Sequence, residues 1–315
     1  MRKHLLCLTI DTDPDGLSGQ LTNRRTLRWD GLERLQALPG QLARIGKIPL
    51  TWFVRADGQL ESILGDSAFL LARYERFWNI VKAAGHELGW HPHLYRQATG
   101  GAEATLISDP LQAREELERL WAGLKSDFHP TAFRNGEGWH TVETYSAVEN
   151  MGFRCDSTAI PGRCGPVGHP MNWTGAPNLP YFPASTNLCE SGLARPMLEL
   201  PMNTWRLQAP HDASPKLRYM NPAVHPHLFA NALKYWEKQC HASAAKVFVW
   251  VMIFHPDEVM ESAEEDGLYA RSTRALIQNL VCLEENVCRL GDVCEWVTIS
   301  QAAELWRQSR ERLIA

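Results

Sequence analysis

Features that define several common protein classes are missing from this sequence of 315 residues. No apolar run approaches the ~18 residues that a membrane-spanning helix needs, so no membrane span is expected. No long basic run is present and the formal net charge is -4, so neither nucleic acid nor an anionic membrane is an expected partner. None of the eight cysteines forms a C-x-x-C pair, which argues against a disulfide framework and a cysteine-rich zinc site.

The N-terminal stretch MRKHLLCLTI also lacks the pattern of a secretory signal. It has a positive head and a short apolar run, but Asp11 interrupts that run and no small-residue cleavage site follows. We therefore expect a cytoplasmic protein with reduced thiols. Nothing in the sequence indicates an oligomeric state.

What is present is an alternation of strand-like and helical segments. Hydrophobic residues make up 44% of the chain, enough for a large core. The predicted strands are 5–10, 48–54, 86–91, 131–134, 152–158, 197–202, 246–254 and 294–299. The predicted helices are 31–45, 66–84, 109–126, 140–150, 225–240, 268–290 and 300–313. Several strands are nearly all apolar, which is typical of a sheet covered on both faces, and the alternation predicts an α/β barrel or a large doubly wound sheet.

Residues 159–195 interrupt this alternation, because they are rich in Gly, Pro and Asn. We interpret them as an irregular loop insertion over one end of a single domain that spans 1–315. Trp173 and Tyr181 in this insertion are candidates for a substrate wall, and ordinary loop packing explains them about equally well. Arg55, just after the second predicted strand, is a candidate for the rim of the same site.

The stretch TIDTDPDG at 9–16 carries three aspartates at alternate positions. It resembles the start of an EF-hand calcium loop, but the twelfth loop position is Thr22 and a strand precedes it, so that interpretation fails. Asp11 and Asp13 follow the first predicted strand and would face the same side of an extended chain. Catalytic groups of α/β barrels lie at such strand ends, although a solvated turn is an equally good explanation. Asp15 is interpreted as a turn residue.

The stretch GHELGWHPHLY at 85–95 places two histidines, His91 and His93, on one face of a predicted strand. Two neutral imidazoles and one carboxylate can hold zinc or a similar divalent ion and leave positions open for water and substrate. A surface strand with two histidines is the alternative. The similar string VHPHLF at 224–229 opens a predicted helix, where capping explains it better. His86 is interpreted as a structural, hydrogen-bonded histidine.

Three further predicted strands end on polar residues. Arg134 ends the strand before the turn N-G-E-G, Asp156 ends the strand GFRCDST, and His255 follows the long apolar run KVFVWVMIF. A lone histidine at a strand end is usually a satisfied core group. Random placement would not put such residues at so many strand ends, so we expect a catalytic site at the carboxyl edge of the sheet.

The order of these motifs resembles that of the polysaccharide deacetylases, the NodB-type enzymes of carbohydrate esterase family 4, over most of the chain. The resemblance implies a distorted (β/α)7 barrel and a metal-dependent deacetylase, a hydrolase of linear amide C–N bonds. It implies that Asp11 is the base and that Asp13, His91 and His93 bind a divalent metal, with Zn²⁺ expected and Co²⁺ or Ni²⁺ as alternatives.

The same resemblance implies the remaining roles. Arg134 steadies the base carboxylate, and His255 protonates the departing amine as the general acid. Asp156 tunes His255 through a hydrogen bond that keeps the imidazole cationic. The chemistry of such a site also needs an oxyanion donor, for which we expect a backbone N–H in the turn after Arg134, at Gly136 or Glu137.

The motifs also depart from the common family pattern. Thr12 separates the two aspartates, Tyr95 stands where the second histidine usually lies, and N-G-E-G replaces prolines and an aromatic residue after Arg134. The D-x-D and H-x-H spacings resemble a divergent branch of the superfamily. They are compatible with the metal chemistry but do not indicate a polymer-binding groove.

The absence of an export signal favours a soluble substrate. The hypothesis is removal of an N-acetyl or N-formyl group from an amino sugar, an oligosaccharide or a small sugar-like biosynthetic intermediate. One alternative is a cyclic imide or ureide hydrolase of the same superfamily. The other is a catalytically inactive carbohydrate-binding barrel, against which the complete set of base, ligands and acid argues.

Overall fold

Twelve strands run through the part of the chain that a computed structural model describes, residues 1–16, 27–97, 104–124, 128–261 and 267–314. They are β1 (Lys3–Asp11), β2 (Leu50–Arg55), β3 (Glu87–His91), β4 (Tyr95–Gln97), β5 (Ala104–Leu106), β6 (Ala132–Phe133), β7 (Cys155–Asp156), β8 (Leu198–Glu199), β9 (Thr204–Leu207), β10 (Lys216–Tyr219), β11 (Val247–Phe254) and β12 (Val293–Trp296). The pairs β4–β5 and β9–β10 form separate antiparallel hairpins. The other eight strands form one sheet.

This sheet is parallel throughout and strongly curled. Seven strands follow the order β11-β1-β2-β3-β6-β7-β8, and β12 also pairs with β1. A parallel bridge between Met202 and Val251 joins the segment after β8 to β11, which brings the two ends of the sheet together. The predicted distorted (β/α)7 barrel in a single domain is thereby confirmed.

Ten α-helices accompany the strands in the described residues. They are α1 (Asp30–Leu35), α2 (Leu38–Leu42), α3 (Gly58–Leu64), α4 (Phe69–Arg73), α5 (Glu75–Ala83), α6 (Pro110–Gly123), α7 (Val142–Asn150), α8 (Pro226–Ala242), α9 (Thr273–Arg289) and α10 (Ile299–Ile314). Short 3-10 helices lie at Gly136–Gly138 and Pro256–Val259. None of the helices described is both long and apolar enough to span a bilayer.

Most predicted elements are present, with shifted ends. The segments 31–45 and 66–84 are each divided into two helices, and 125–127 lie outside the described residues. The short hairpins and α3 were not predicted, because three- and four-residue strands and a seven-residue helix leave little periodic pattern. Strands β1, β2 and β11 are buried along nearly their whole length, as their apolar runs predict.

Residues 159–195 contain no helix and only isolated bridges, such as the one between Cys164 and Asn172. The segment leaves the carboxyl end of β7 and returns to β8. It therefore passes over the edge of the barrel where the strands end. Its early residues, including Ile160 and Met171, line the cavity described below.

Candidate active site

The residues predicted at strand ends converge at one edge of the sheet. Asp11 and His91 are the last residues of β1 and β3, while Arg134 and His255 directly follow β6 and β11. Since all these strands are parallel, their carboxyl ends lie together. They surround a cavity of about 350 Å³ that Asp13 and His93 also line.

Asp13, His91 and His93 form a compact buried cluster. Their ligand atoms all lie within 4.8 Å of one another. The two His Nε2 atoms are 3.1 Å apart, and His93 Nε2 is 3.2 Å from Asp13 Oδ1. Two imidazoles and a carboxylate that aim their acceptor atoms at one small space match the donor set of a zinc-type site with open positions.

Neighbouring groups orient both histidines of the cluster. His91 Nδ1 donates to the carbonyl oxygen of Arg134 at 2.8 Å, which leaves its Nε2 lone pair directed at the cluster. His93 Nδ1 faces the Glu137 carboxylate at 3.7 Å. Burial and Arg55 lower the pKa of His93, but Asp13 and Glu137 outweigh them and raise it. In the absence of metal, the chain therefore favours a proton on His93, and a cation binding there must displace it.

Arg134 holds the Asp11 carboxylate. Its Nη1 donates to Asp11 Oδ1 at 2.6 Å and to Thr9 Oγ1 at 2.9 Å. Its other nitrogens donate to Ser157, and its guanidinium stacks on the Phe53 ring at 4.0 Å. Asp11 Oδ2 is left facing the cluster, 3.5 Å from His91 Nε2. One carboxylate oxygen of Asp11 is thus held by Arg134, and the other is directed at the cluster.

His255 faces the same cluster from β11. Its Nε2 is 3.7 Å from Asp13 Oδ2, and its Nδ1 is 3.3 Å from Glu258 Oε1. Glu258 also accepts hydrogen bonds from the His255 backbone N–H and from Asn221 Nδ2. Burial lowers the pKa of His255, but Glu258 and the cluster aspartates outweigh it and raise the pKa to about 10.

Asp156 does not contact His255, so the prediction that it tunes this histidine is wrong. Its carboxylate accepts from Thr158 at 2.6 Å and lies 3.4 Å from His140 Nε2. Asp156 ends β7 and His255 follows β11. Four strands lie between β7 and β11 in one direction around the barrel, and β8 lies between them in the other. Glu258, three residues after His255 in the chain, occupies the position expected for Asp156.

Arg55 is not a rim residue. It is fully buried, and its guanidinium donates to Asp13 Oδ1 at 2.8 Å and to Asp57 Oδ2 at 2.7 Å. Burial raises the pKa of Asp13, but His93 and Arg55 outweigh it and hold the pKa well below its usual range. Arg55 therefore supports the cluster from behind and does not line the cavity.

Trp173 and Tyr181 are core residues of the insertion, and neither lines the cavity. Trp173 Nε1 donates to the Gly138 carbonyl oxygen, and the Tyr181 hydroxyl donates to the Leu188 carbonyl oxygen. The insertion does form a wall, but with other residues, among them Arg163. Both predicted aromatic contacts with substrate are therefore wrong, because each ring is buried and its polar atom already has a backbone partner.

The turn after Arg134 excludes one of the two predicted oxyanion donors. The Gly136 N–H already donates to the Pro92 carbonyl oxygen at 2.8 Å, so it is not available to an oxyanion. A Cβ at this position would meet the His93 ring, which explains the glycine. Glu137 adopts the left-handed conformation with φ of 57° and presents its carboxylate to the cavity.

His86, His225 and Asp15 have structural positions, as the sequence indicated. His86 Nδ1 accepts from the Leu50 N–H at 2.9 Å. His225 precedes the first residue of α8. Asp15 accepts from two backbone N–H groups at the start of α1.

Glu258, Arg163, His169 and Tyr219 are site residues that the sequence interpretation missed. The only available signal for Glu258 was its spacing from His255, three residues on in H-P-D-E. The other three lie on irregular segments or a short hairpin, where no periodic pattern predicts which side chains face the site.

Comparison with solved structures identifies proteins that share this fold. A protein from Mycobacterium smegmatis assigned as a polysaccharide deacetylase has a TM-score of 0.52 and 18% identity, over 98% of this chain and 92% of its own. Another from Pseudomonas aeruginosa PAO1 with the same assignment has a TM-score of 0.55 and 14% identity, over 97% and 91%. This chain has the polysaccharide-deacetylase fold.

The deacetylase fold is also that of the PuuE allantoinase, which matches with a TM-score of 0.53 and 14% identity over 97% of this chain and 90% of its own. No protein-family model matches the sequence, and no curated protein matches it. The resemblance predicted from the motifs is therefore confirmed at the level of the fold.

Proposed function

We propose that this chain is a metal-dependent amide hydrolase that removes an N-acetyl or N-formyl group from an amino sugar or a small sugar-like biosynthetic intermediate. One observation carries the proposal. A candidate metal cluster lies between an Arg-held carboxylate and a Glu-held histidine, all in one cavity. A cavity of about 350 Å³ suits a small molecule or the end of an oligosaccharide.

Asp13, His91 and His93 would hold the metal. When bound there, a divalent ion, with Zn²⁺ preferred over Co²⁺ or Ni²⁺, activates water at neutral pH and polarises the acyl carbonyl. His91 Nε2 is held toward the cluster by the hydrogen bond from Nδ1 to Arg134, and Arg55 positions the Asp13 carboxylate. These supporting contacts keep the ligand set ordered before substrate arrives.

Asp11 serves as the base. Arg134 occupies its Oδ1, which leaves Oδ2 to take a proton from the attacking water. His255 serves as the acid at the opposite side of the cluster. Its raised pKa keeps Nε2 protonated at neutral pH, and this atom delivers the proton that the departing amine needs. The backbone N–H of Glu137 remains the proposed oxyanion donor.

A cyclic imide or ureide hydrolase is the second candidate. The same base, ligands and acid can open a ring amide, and the allantoinase shares this fold. The small cavity is compatible with either substrate class. An inactive carbohydrate-binding barrel would have no need for a complete set of proton-transfer groups around the cluster.

The test is a screen of metal-loaded protein against N-acetyl and N-formyl amino sugars, chitooligosaccharides and cyclic imides, with metal analysis of every variant. We expect Asp13→Ala and His91→Ala to abolish bound metal and turnover, because each removes a ligand. The double variant His225→Ala/His227→Ala is the matched control, because it removes the similar H-P-H string at α8.

Full metal content and activity in either ligand variant would show that the ligand assignment is wrong. A wild-type protein that binds no metal and gains no activity from added zinc or cobalt would support the inactive barrel. Turnover of cyclic imides alone would select the second candidate.

A further inference from the structure

A second cavity of about 270 Å³ adjoins the candidate active site, and its lining is basic. Arg163, Lys216 and Arg218 line it, and no aspartate or glutamate of the described residues does. Arg163 and Tyr219 line both cavities, so the two are neighbours. This concentration of positive charge is notable in a chain whose formal net charge is -4.

Two of the three cations share one carboxylate. Lys216 Nζ is 2.8 Å from Asp212 Oδ1, and Arg218 Nη1 is 2.9 Å from Asp212 Oδ2. The Asp212 side chain is itself covered. One carboxylate neutralises only one of two cations, so this group keeps a net positive charge that faces the cavity.

Arg163 has no counter-ion within the part of the chain that the structure describes. No carboxylate of those residues lies within ion-pair distance of its guanidinium, and the group donates no hydrogen bond to them. An arginine guanidinium that lines a cavity without a partner is suited to bind a carboxylate or a phosphate through bidentate hydrogen bonds.

The backbone around Arg163 is held in place. Its N–H donates to the Ile160 carbonyl oxygen at 3.0 Å, and its carbonyl oxygen accepts from the Trp173 N–H at 2.8 Å. Gly162, before it, has φ of 80°, a left-handed conformation that favours glycine. Thr204 Oγ1 of β9 donates to the Pro161 carbonyl oxygen. The arginine is thus mounted on a fixed turn, which lowers the cost of ordering it on a ligand.

The position of the second cavity indicates which half of the substrate would enter it. The Tyr219 ring lies beside the His255 ring, with centroids 6.4 Å apart. Tyr219 also lines both cavities. The basic cavity therefore lies on the His255 side of the cluster, where the departing amine would be protonated.

We propose that the substrate carries an anionic group, a carboxylate or a phosphate, on its amine half, and that Arg163, assisted by Lys216 and Arg218, binds this group. The inference rests on the proposed amide hydrolysis and narrows its substrate class to anionic N-acyl compounds. Arg163 then acts as a specificity residue and takes no part in the proton transfers.

The test compares kcat/KM of the metal-loaded enzyme for N-acetylglucosamine, N-acetylglucosamine 6-phosphate and N-acetylmuramic acid, which are neutral, phosphate-bearing and carboxylate-bearing. We expect at least one anionic compound to exceed the neutral one by about 10- to 100-fold, the scale of a charged hydrogen-bonding pair. Arg163→Met should lose most of that ratio, mainly through KM, and Arg163→Lys should retain part of it. Arg206→Met, an exposed arginine on neighbouring β9, is the control and should keep the wild-type ratio.

A second arm does not depend on turnover. Calorimetric titration of the metal-loaded protein with glucosamine, glucosamine 6-phosphate and muramic acid should show tighter binding of an anionic amine, and Arg163→Met should remove the difference. Hydrolysis without preference for either anion, or a preference that survives in Arg163→Met, would overturn this inference while the proposed function stands. No hydrolysis of any amide would count against the proposed function, and the titrations would then decide the inference, since equal affinities for the three amines refute it.

Discussion

At the scale of single residues, the carboxylate of Glu258 determines the charge of the His255 imidazole and the orientation of its ring. It lies 3.3 Å from Nδ1, accepts from the His255 backbone N–H and is itself held by Asn221. The pKa of His255 is raised to about 10 because Glu258 and the cluster aspartates outweigh the effect of burial. An imidazole with a raised pKa remains a proton donor until the pH passes that value.

Replacing Glu258 by Gln is predicted to move the alkaline limb of the kcat/KM profile to lower pH. Gln removes the negative charge that favours the imidazolium, so the acid loses its proton earlier as pH rises. We expect kcat/KM at the alkaline edge to fall about 10-fold or more, with a smaller loss at acidic pH. The measurement is a pH–rate profile of both proteins.

Glu261→Gln is the control for charge alone, because Glu261 is exposed and close in sequence. Its profile should overlay that of the wild type. A uniform loss at every pH in Glu258→Gln would instead indicate a purely structural role for this carboxylate.

At the scale of secondary-structure elements, the neighbouring strands β7 and β8 carry a second pair of buried carboxyl groups. Asp156 and Glu199 are register partners, and both are fully buried. Burial raises the pKa of Glu199 well above its usual range, and the Asp156 charge raises it further. For Asp156, His140 outweighs the effect of burial and lowers the pKa. The two pKa values are therefore shifted in opposite directions, and Glu199 is the carboxyl that the pair favours as the proton carrier.

Glu199→Gln is predicted to flatten the pH dependence of stability. The folded wild type keeps the proton of Glu199 at pH values where the unfolded chain has lost it, so its free energy of unfolding falls as pH rises above 4.5, the ordinary value. Gln cannot titrate, so the difference between variant and wild type should increase in the variant's favour from pH 5 to 8. The increase is at most about 1.4 kcal/mol per pH unit.

Urea unfolding at several pH values measures this difference. Glu118→Gln, on an exposed position of α6, should show no such trend. A constant difference between Glu199→Gln and wild type across the range would mean that Glu199 is ionised in the folded protein.

At the scale of the whole molecule, the candidate metal cluster brings together residues from separate parts of the barrel. Asp13 follows β1, while His91 ends β3 and His93 follows it. An ion bound there would link the carboxyl ends of two strands that β2 separates. Anything that binds the folded state and not the unfolded chain stabilises the fold.

Zinc is therefore predicted to raise the melting temperature, by an amount that grows with pH. A zinc concentration of 100 times Kd corresponds to about 2.7 kcal/mol. The pKa of His93 is raised in the metal-free chain, so at low pH a proton competes with the metal, and affinity increases as pH rises through that pKa. Thermal melts with zinc or with a chelator at pH 6, 7 and 8 measure the effect.

His91→Ala/His93→Ala should lose the zinc-dependent shift, and His225→Ala/His227→Ala should keep it. An equal shift in both double variants would place the bound zinc outside the cluster.

The local pattern of apolar and polar residues was sufficient to predict most of the fold and the residues at the centre of the site. Unbroken apolar runs such as β1 and β11 must be covered on both faces, which makes a parallel sheet the natural arrangement. Once the strands are parallel, residues at their carboxyl ends meet without further information. The grouping of Asp11, Asp13, His91, His93, Arg134 and His255 was predictable for that reason.

Tertiary structure decided which neighbour each of these residues has. Asp156 ends β7 and His255 directly follows β11, yet strand order separates them. A short 3-10 turn brings Glu258 to His255 instead. Arg55 faces inward to Asp13, while Arg163 faces the cavity from an irregular loop. The direction of a side chain depends on which strands are adjacent and on the path of loops without periodicity. Such contacts join residues far apart in the chain, and no short-range pattern of amino acids encodes them.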